Sequence, residues 1–392
     1  MIDFALKEFQ PLRGKNVILA TTASVSIYRV PDLVRDLRRE GAEVWVAMSH
    51  DSARLVSPEM MRWASGREVV TELSGEVEHI ALLRDKNAIL LIAPASYNTI
   101  GKIASGVADS VTTSLASNAL GNGNPMVVVP AMHLSMYSNP VLQRNVKMLR
   151  EYGVRILDPI VEEGKAKFNP SVPVIDEIIR TSSTVRGKRA LVITGRGQGL
   201  IDPVRIIANR SSGETGYWLS RALYRIGFDV TVIGNSPRDL PQQIRFIHAE
   251  YVDEFVERVS GVLKEEFDLV TVPAAIPDFV PAMSEEKLKS DGHVKLELAP
   301  APKIVDLIRK MHSGILIPFR LTVTSEKNGL AHFEKSRPDG VVVNFYDQAG
   351  QPFGDSNGSF VFETKKRRKE ISGINKEEAC SRIAEEMAGM VQ

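Results

Sequence analysis

The chain has 392 residues, of which 43% are hydrophobic and 25% charged, the composition of a globular protein with room for two domains. Lysine and arginine number 49 against 48 aspartate and glutamate residues, so no overall basic surface favours nucleic acid as a partner. The single cysteine, Cys380, excludes an internal disulfide, a cysteine-based zinc site and a redox pair of thiols. We expect a cytoplasmic protein, because no apolar run reaches the length of a membrane span and the first residues lack the apolar core of a signal peptide.

Two segments that begin alike open two halves of the chain. Arg13-Gly-Lys-Asn-Val-Ile-Leu-Ala and Arg186-Gly-Lys-Arg-Ala-Leu-Val-Ile each predict a short buried strand. In both halves a helical segment then leads to a glycine-containing turn and a second strand, REGAEVWVAM from Arg39 and RIGFDVTVIG from Arg225.

Further apolar runs occur in the same order in both halves. The predicted third strands are AILLIAPAS and FDLVTVPAA, the fourth PMVVVPAM and GILIPFRL, and the fifth VRILDP and GVVVNFY. Alternating strands and helices at this spacing predict the α/β class, with two doubly wound parallel-sheet domains. A polar stretch near Ser182 to Arg186 predicts the boundary, giving domains of residues 1–185 and 186–392.

Polar elbows follow the two most apolar strands of the first half. Pro94-Ala-Ser-Tyr-Asn-Thr99 follows NAILLIA, and Pro130-Ala-Met-His133 follows PMVVV. In an open parallel sheet, the loops that leave the carboxyl ends of buried strands form the ligand crevice. The elbow residues that we expect to line this crevice are Ser96, Asn98, Thr99, Met132 and His133.

The turn after the first strand, Thr21 to Tyr28, is rich in hydroxyls and has no glycine. A dinucleotide site needs glycines for close approach to a pyrophosphate, whereas hydroxyls and helix N-terminal amides suit the single phosphate of flavin mononucleotide. Ser24 and Ser26 are the candidate ligands, and Ser49 is predicted to reach the same sheet edge. The alternative is that the hydroxyls of this turn only cap the following helix, VPDLVRDLRR.

Two histidines are predicted to face this crevice. His79 lies in GEVEHIALLRDKN, just ahead of the third strand, and His133 lies just beyond the fourth. An imidazole poised near neutral pH suits acid–base catalysis, but a lone histidine in a helix is more often a capping or surface residue.

In the second half, the first strand ends in a glycine-rich turn, Thr194-Gly-Arg-Gly-Gln-Gly, whose spacing is not that of a dinucleotide fingerprint. The next helix instead opens on Asn209-Arg-Ser-Ser-Gly213, whose amides and hydroxyls at a positive helix end suit an anion. A plain serine-capped helix is the alternative.

Taken together, these motifs resemble those of known enzyme families. In the first half, the similarity to the flavin-containing cysteine decarboxylases, phosphopantothenoylcysteine decarboxylase among them, is carried by His79, Pro94–Thr99, Gly106-Val-Ala-Asp109 and Pro130–His133. In the second half, the similarity to phosphopantothenate-cysteine ligase is carried by Ile201-Asp-Pro-Val-Arg205, Asn209–Gly213, Ala274-Ala-Ile-Pro-Asp278 and Lys287-Leu-Lys289. Their order matches the fused bifunctional enzymes of coenzyme A biosynthesis, which implies a flavodoxin-like flavoprotein domain followed by a Rossmann-like ligase domain.

For the first half, the resemblance implies that flavin mononucleotide (FMN) oxidises the cysteinyl thiol of 4'-phosphopantothenoylcysteine towards a thioaldehyde, which allows carbon dioxide to leave. The flavin then returns the electrons. His79 corresponds to the catalytic base. Asn98 and the rest of the 94–99 loop correspond to residues that hold the flavin and substrate, Asp109 supports that loop, and Met132 belongs to the elbow motif of the family.

Two departures from the family pattern concern the substrate carboxylate and the proton donor. His133 stands where many members have an asparagine that grips the substrate carboxylate, and the lid segment from Val161 to Phe168 lacks the cysteine that donates a proton in many members. Both features resemble archaeal members. Lys165, Lys167 and His133 are the candidate donors, and a solvated basic turn is the alternative for the lysines.

For the second half, the resemblance implies that CTP with Mg²⁺ activates the carboxylate of 4'-phosphopantothenate, and that the amine of cysteine then displaces the nucleotide. Asn209 would stabilise the acyl intermediate, and Ser211, Ser212 and Gly213 would hold the pantothenate phosphate. The nucleotide would meet Ala275, Asp278, Lys287, Lys289 and Phe319. The family favours CTP over ATP, no metal ligands are indicated, and Glu214 stands where many members have a lysine.

The resemblance also implies a homo-oligomer built on trimers of the N-terminal domain, with small-molecule substrates and neither nucleic acid nor membrane as partner. Two alternatives remain open at this point. One is a decarboxylase with an inactive, structural C-terminal domain. The other is a non-catalytic or prenyl-transferring flavin-binding relative.

Overall fold

The computed structural model separates two structural units along the chain, residues 1–182 and 183–392. It describes residues 7–183, 185–236, 238–289, 292–322, 329–345, 359–372 and 375–391. Each unit is built on its own large sheet with apolar clusters on both faces.

Nine strands lie in the described residues of the first unit. They are β1 (Asn16–Thr21), β2 (Glu43–Met48), β3 (Val69–Val70), β4 (Ile89–Ala95), β5 (Met126–Pro130), β6 (Met132–His133), β7 (Arg155–Ile156), β8 (Ile160–Glu162) and β9 (Lys165–Lys167). Six of them form a sheet of order β3-β2-β1-β4-β5-β7 in which all neighbours are parallel. This confirms the α/β prediction for the first half.

Helices cover both faces of this sheet. They are α1 (Val30–Arg39), α2 (His50–Ala53), α3 (Pro58–Ser65), α4 (Glu78–Ala81), α5 (Tyr97–Ala104), α6 (Val111–Asn122), α7 (Leu134–Tyr137), α8 (Pro140–Glu151) and α9 (Ser171–Arg180), with a 3-10 turn at Val25–Arg29. Successive residues of β1 point to opposite faces. Val17 and Leu19 therefore join one apolar cluster with α1, α3 and α9, while Ile18 and Ala20 join another with α5, α6 and α8.

The strand order locates the ligand crevice. Without the two-residue β3 the order is that of flavodoxin-like folds, and with β3 it is the order of dinucleotide-binding sheets. In both descriptions the chain leaves β1 and β4 in opposite directions, and ligands of such sheets bind at the carboxyl ends of those strands.

The lid segment is not a simple basic turn. β8 and β9 form an antiparallel hairpin, and β9 also pairs with β6, so that His133 lies opposite Lys165 in register. The main-chain nitrogen of Leu134 donates to the carbonyl of Gly164 at 3.1 Å, which fastens the hairpin tip to the start of α7.

The second unit contains twelve strands in its described residues. They are β10 (Arg189–Thr194), β11 (Gln198–Leu200), β12 (Ile206–Ala208), β13 (Asp229–Gly234), β14 (Arg245–His248), β15 (Leu269–Val272), β16 (Phe279–Pro281), β17 (Leu298–Pro300), β18 (Ile315–Thr322), β19 (Gly340–Phe345), β20 (Ser359–Thr364) and β21 (Arg368–Ser372). Eight form a sheet of order β14-β13-β10-β15-β18-β19-β20-β21. The predicted parallel strands are present, but β20 and β21 extend the sheet antiparallel, a feature that the repeat between the halves does not contain.

Four helices of this unit are α10 (Glu214–Arg225), α11 (Val252–Val262), α12 (Ile304–Met311) and α13 (Lys376–Val391), and a 3-10 turn lies at Leu330–Phe333. Cys380 of α13 is fully buried in the apolar cluster between α13, α10 and the sheet. Burial raises the pKa of its thiol to about 12. In the part of the chain that the structure describes, no helix combines the length and apolarity needed to span a membrane.

Candidate active sites

Hydrogen bonds join the three loops that leave β1, β4 and β5. The hydroxyl of Thr22 donates to the carbonyl of Pro94 at 2.7 Å and accepts from the nitrogen of Ser96 at 2.9 Å. The hydroxyl of Ser24 donates to the carbonyl of Ala131 at 3.1 Å. The residues after three adjacent strands thus meet at one edge, where the strand order predicts a ligand crevice.

The helix-capping alternative applies to some of these hydroxyls and not to others. Ser49 and Ser96 are N-caps, of α2 and α5, and each accepts a hydrogen bond from a main-chain nitrogen three residues later, at 3.3 Å in both cases. Ser24 and Ser26 do not cap α1, because a 3-10 turn intervenes and the N-cap of α1 is Arg29. Ser24 instead bridges two loops.

The elbow after β4 leads into α5, and Asp109, just before α6, links α5 to α6. The Thr99 hydroxyl lies 3.0 Å from that of Ser96 and is buried, while Asn98 is exposed to solvent. Asp109 accepts from the ammonium of Lys102 at 2.6 Å and from the hydroxyl of Thr113 at 3.4 Å, which links α5 to α6. The hydrogen bond from Lys102 lowers the pKa of the Asp109 carboxyl.

His79 lies on the single turn of α4 and is not hydrogen-bonded to the elbows. The side-chain amide of Asn118 on α6 donates to its carbonyl at 2.7 Å. Its Nδ1 atom is buried and has no hydrogen-bond partner among the described residues. Val77, just before the turn, has a φ of 49°, a strained conformation for a β-branched residue that costs on the order of 1–3 kcal/mol. A buried unsatisfied nitrogen beside a strained residue is typical of a functional site.

The lid lysines differ in their surroundings. Lys167 donates to Glu162 at 2.9 Å and lies 3.1 Å from a carboxylate oxygen of Glu163, and these bonds raise its pKa. Lys165 is exposed and lies opposite His133, which is also exposed. Met132 is half-buried and packs on the apolar cluster beneath β6.

The sequence analysis missed residues that hold the segment after His133. The phenol of Tyr137 on α7 donates to Asp158 at 2.5 Å, and the guanidinium of Arg150 on α8 donates to both oxygens of that carboxylate at 2.8 Å. Thr22 was also missed as an individual candidate. A hydroxyl directly after a buried strand was the available signal for Thr22, whereas nothing local distinguishes Asp158.

The second unit has a cleft of about 1030 Å³ at the carboxyl edge of its sheet. Seven of the predicted ligase residues line it: Asn209, Ser211, Ser212, Gly213, Ala275, Asp278 and Phe319. The main-chain nitrogen of Ala275 donates to the carbonyl of Gly195 at 2.8 Å, and the carbonyl of Ala275 accepts from Gly197 at 3.2 Å. The loops after β10 and β15 are therefore joined at the point where the strand order reverses.

The start of α10 is not a plain serine cap. Its N-cap is Gly213, whose φ of 75° lies in the left-handed region that favours glycine. The hydroxyls of Ser211 and Ser212 accept from the nitrogens of Gly213 and Glu214 at 3.3 and 3.5 Å. A Cβ atom at Gly216 would lie 1.7 Å from the hydroxyl oxygen of Thr194, so only glycine lets α10 begin this close to the end of β10.

Asn209 lies on the rim of this cleft. Its side-chain nitrogen donates to the carbonyl of Ile276 at 3.2 Å, while the residue stays exposed. The same cleft wall carries Asp278, which is ion-paired with Lys303. Across the described residues, no cluster of three or more His, Cys, Asp or Glu side chains offers a preformed metal site.

Lys287 and Lys289 are exposed and do not belong to the lining of the cleft. The residue between them, Leu288, donates its nitrogen to the buried carboxylate of Asp202 at 3.1 Å, and its carbonyl accepts from Arg205 at 3.1 Å. Burial alone would raise the pKa of Asp202, but hydrogen bonds from main-chain nitrogens and from Arg205 outweigh it and hold that pKa well below its usual value.

Glu214 does not face the cleft, although it follows the predicted anion cradle directly. Its side chain is buried and lies 3.2 Å from the guanidinium of Arg238. Residues on both sides of it, Gly213 and Thr215, line the cleft, but Glu214 does not. The carboxylate of Glu214 therefore lies outside the cleft lining and is paired with Arg238.

Two family models divide the chain between them. The model for flavoproteins matches residues 6–183, and that for the DNA/pantothenate metabolism flavoprotein C-terminal domain matches residues 185–390. The coenzyme A biosynthesis bifunctional protein CoaBC of Thermococcus kodakarensis is 33% identical over 394 residues, with 97% of this chain and 96% of that protein covered. The chain belongs to the family of coenzyme A biosynthesis bifunctional proteins.

This family membership confirms the resemblance drawn from the motifs. The coenzyme A biosynthesis bifunctional protein of Methanocaldococcus jannaschii is 31% identical, with 97% of this chain and 95% of that protein covered. Both relatives are archaeal, which agrees with the departures at His133 and in the lid. A crystal structure of the C-terminal domain of a coenzyme A biosynthesis bifunctional protein aligns with 54% of this chain and 98% of that chain, at 22% identity and a TM-score of 0.44.

Proposed function

We propose that this protein makes 4'-phosphopantetheine in two steps. The C-terminal unit joins 4'-phosphopantothenate to cysteine at the expense of CTP, and the N-terminal unit decarboxylates the product with the help of FMN. The observation that supports this proposal is that the loops after β1, β4 and β5 meet at one sheet edge in the first unit, and that seven of the predicted ligase residues line one cleft in the second. A cytoplasmic location is part of the proposal.

The N-terminal edge fits FMN. Hydroxyls and the N-terminal amides of α2 and α5 converge there without a glycine-rich pyrophosphate loop, which suits one phosphate. The proposed flavin and substrate contacts are Ser24, Ser26, Ser49, Ser96, Asn98, Thr99 and Met132, with Asp109 fixing the helix that carries the elbow. When bound, FMN would supply the two-electron oxidation of the substrate thiol and, once carbon dioxide has left, would return the two electrons so that the product is a thiol and the flavin is again oxidised.

His79 is the proposed base. Its buried Nδ1 atom has no hydrogen-bond partner among the described residues, so a substrate proton is a suitable partner for it. The single turn of α4 is tied to α6 through Asn118, which fixes the main chain of His79 and leaves its ring nitrogens for chemistry.

For the acid that protonates the product, we choose His133 among the candidates. Lys167 holds its proton more firmly than usual because Glu162 and Glu163 stabilise its ammonium form. His133 ends the elbow after β5 and lies opposite Lys165 in the β6–β9 strand pair. The positive charge of Lys165 attracts an anionic substrate.

The chosen acid can be tested directly. We expect His133→Ala to lower the rate of carbon dioxide release at least tenfold, since loss of a general acid costs on the order of 10²–10⁴ in rate. Lys167→Met is the matched variant on the same hairpin and should change the rate less than twofold. If the Lys167 variant loses as much activity as the His133 variant, the donor is the lysine.

The C-terminal cleft supports the ligase half of the proposal. Asn209 donates its amide to the acyl-nucleotide, Ser211, Ser212 and Gly213 bind a phosphate group, and Ala275, Asp278 and Phe319 meet the nucleotide. The nucleotide contacts predicted for Lys287 and Lys289 are left out of this proposal, because both lysines lie outside the cleft lining, on the loop that Asp202 holds. Mg²⁺ is proposed to arrive with the triphosphate, because magnesium sites use few carboxylates beside phosphate oxygens, and Asp278 and Asp306 line the cleft.

The proposed function is tested with the full chain. The purified protein should carry a flavin absorption spectrum, release pyrophosphate from CTP only when 4'-phosphopantothenate and Mg²⁺ are present, and release carbon dioxide once cysteine is added. A parallel assay with ATP settles the nucleotide. If the purified protein is colourless and does not bind added FMN, the proposed decarboxylase activity is wrong. If neither CTP nor ATP gives pyrophosphate, the C-terminal unit has only a structural role.

We also propose a homo-oligomer built on trimers of the N-terminal unit. Met136 on α7 and Val141 on α8 are exposed, 44% and 49%, and follow His133 directly in the chain, so a neighbouring subunit that covered them would also border the active site.

This assembly predicts a linked loss of size and activity. Met136→Glu should reduce the mass measured by light scattering and lower decarboxylation at least tenfold, because a charge on an apolar contact disfavours association. Lys147→Glu, a charge change on the exposed side of α8, serves as the control. A variant that is monomeric and fully active would defeat the proposal.

A further inference from the structure

Helix α6 connects the sheet edge that is proposed to hold FMN with the turn that carries His79. In its first turn, the buried hydroxyl of Thr112 donates to the carbonyl of Thr21, the last residue of β1, at 3.1 Å. Further along the helix, the side-chain amide of Asn118 donates to the carbonyl of His79 at 2.7 Å. The step from position 112 to position 118 is a rise of about 9 Å along the helix axis. One helix therefore relates the position of the His79 turn to the end of β1.

Both ends of α6 are capped. Ser110 and Thr113 form a capping box, and the helix ends at Gly123, whose φ of 78° lies in the left-handed region that favours glycine. The helix packs on the apolar cluster of its sheet face through three buried side chains, Leu115, Ala116 and Ala119. Capping and packing stabilise the helix along its length, so it is a firm support for whatever its side chains hold.

The segment from residue 79 to residue 88 is held by side-chain amides of α6 and of the turn that follows it. Each of three asparagines donates to main-chain carbonyls of the segment: Asn118 to His79, Asn122 to Leu83 at 3.0 Å, and Asn124 to Asp85 and Ala88 at 2.8 and 3.1 Å. The segment's own helix, α4, has only four residues. A single helical turn is unfavourable by itself because it fixes several residues for few hydrogen bonds, so these amides contribute to holding it in place.

The turn has a reason to relax if its support is lost. Val77, which precedes α4, has a φ of 49°, and such a conformation persists only where the surrounding structure holds it. The bond from Asn118 to the carbonyl of His79 opposes this relaxation. The buried Nδ1 atom of His79 has no hydrogen-bond partner among the described residues, so this ring atom gives the turn no such support.

We propose that Asn118 is a positioning residue for decarboxylation. By fixing the main chain at His79, it sets where the imidazole stands relative to the cofactor edge at the end of β1. This inference rests on the proposed function, in which His79 is the base. A general base must lie within hydrogen-bond reach of the proton that it removes, so a small displacement of the turn lowers the rate of the chemical step without weakening substrate binding.

The test uses the full chain and Asn118→Leu, which removes the amide donor and keeps a side chain of similar size. We expect kcat for decarboxylation of 4'-phosphopantothenoylcysteine to fall at least tenfold, while KM and the dissociation constant of FMN change less than threefold. Hydrogen–deuterium exchange gives a measurement that is independent of turnover. The main-chain amides of residues 80–82, which bond back to the carbonyls of Val77 and Glu78, should exchange at least tenfold faster in the variant.

Asn122→Leu is the matched control, since it makes the same change one turn further along the same helix. It should lower Tm at least as much as Asn118→Leu does, because Asn122 also donates to the side chain of Asn124 at 2.8 Å. Its kcat should nevertheless fall less than threefold. If both variants lose kcat in proportion to their loss of Tm, Asn118 has only a structural role and the proposal is wrong. If Asn118→Leu does not fold, Asn118→Ala removes the same donor without added apolar atoms and should show the same fall in kcat at unchanged KM.

The outcomes separate this inference from the proposed function. Wild-type protein that does not decarboxylate, or His79→Asn that retains the activity, would overturn the proposed function or the proposed base. If the wild-type protein is active and His79 is essential, two results overturn only the role of Asn118. One is a kcat within threefold of wild type in Asn118→Leu, and the other is unchanged hydrogen exchange at residues 80–82.

Discussion

Replacing His79 by asparagine is expected to abolish carbon dioxide release, with a loss of about 10³ or more in kcat, while the protein stays yellow. The imidazole is the proposed base, and removal of a general base costs on the order of 10²–10⁴ in rate. Retention of the flavin is expected because the hydroxyls and helix starts proposed to hold it lie on other loops. Single-turnover release of carbon dioxide and the flavin absorption spectrum are the two measurements.

A matched substitution tests whether the loss is specific. His248→Asn changes an exposed histidine of the other unit and should leave decarboxylation unaltered. If His79→Asn retains decarboxylation, the buried Nδ1 atom and the strained Val77 belong to a structural turn, and the base lies elsewhere.

Asn209→Asp is expected to lower ligase turnover by two to three orders of magnitude, about 3–4 kcal/mol in transition-state stabilisation. The substitution replaces an amide donor on the cleft rim by a carboxylate, which then faces the carbonyl of Ile276 and the anionic acyl-nucleotide. Pyrophosphate release from CTP is the measurement.

The same preparation of Asn209→Asp should still decarboxylate preformed 4'-phosphopantothenoylcysteine, since that reaction belongs to the other unit. Cys380→Ser, a small change in the core of the ligase unit, should alter turnover little. Ligase turnover within threefold of wild type in Asn209→Asp would remove this residue from the proposed mechanism.

Much of the N-terminal site follows from local sequence. Apolar runs that predict strands buried on both faces correspond to β1, β4 and β5, and the polar elbows after β4 and β5 meet at one edge because parallel strands end together. The hairpin formed by β8 and β9 was less predictable. Its three-residue strands carry no clear alternation, and its pairing with His133 is made across 32 positions of chain between Cα partners 133 and 165.

Charge patterns were the weakest guide in the C-terminal unit. Glu214 stands where many members have a lysine and directly follows the predicted anion site in the sequence. Its partner Arg238 lies on a loop beyond β13, which the residues next to Glu214 along the chain do not reveal. Lys287 and Lys289 suggested a triphosphate contact by their composition, yet the described structure holds them outside the cleft lining, on a loop fastened by Asp202.

By itself, the sequence determined the α/β class and the order in which strands and motifs follow one another along the chain. It also determined the family to which the protein belongs. These follow from hydrophobic periodicity and from the residue types that chemistry demands at strand ends. Only the tertiary structure decided which polar side chains meet. Lys376 lines the same cleft as Gly213, and Lys165 lies opposite His133. Helix packing and strand register bring these distant segments together, and no local sequence pattern encodes helix packing or strand register.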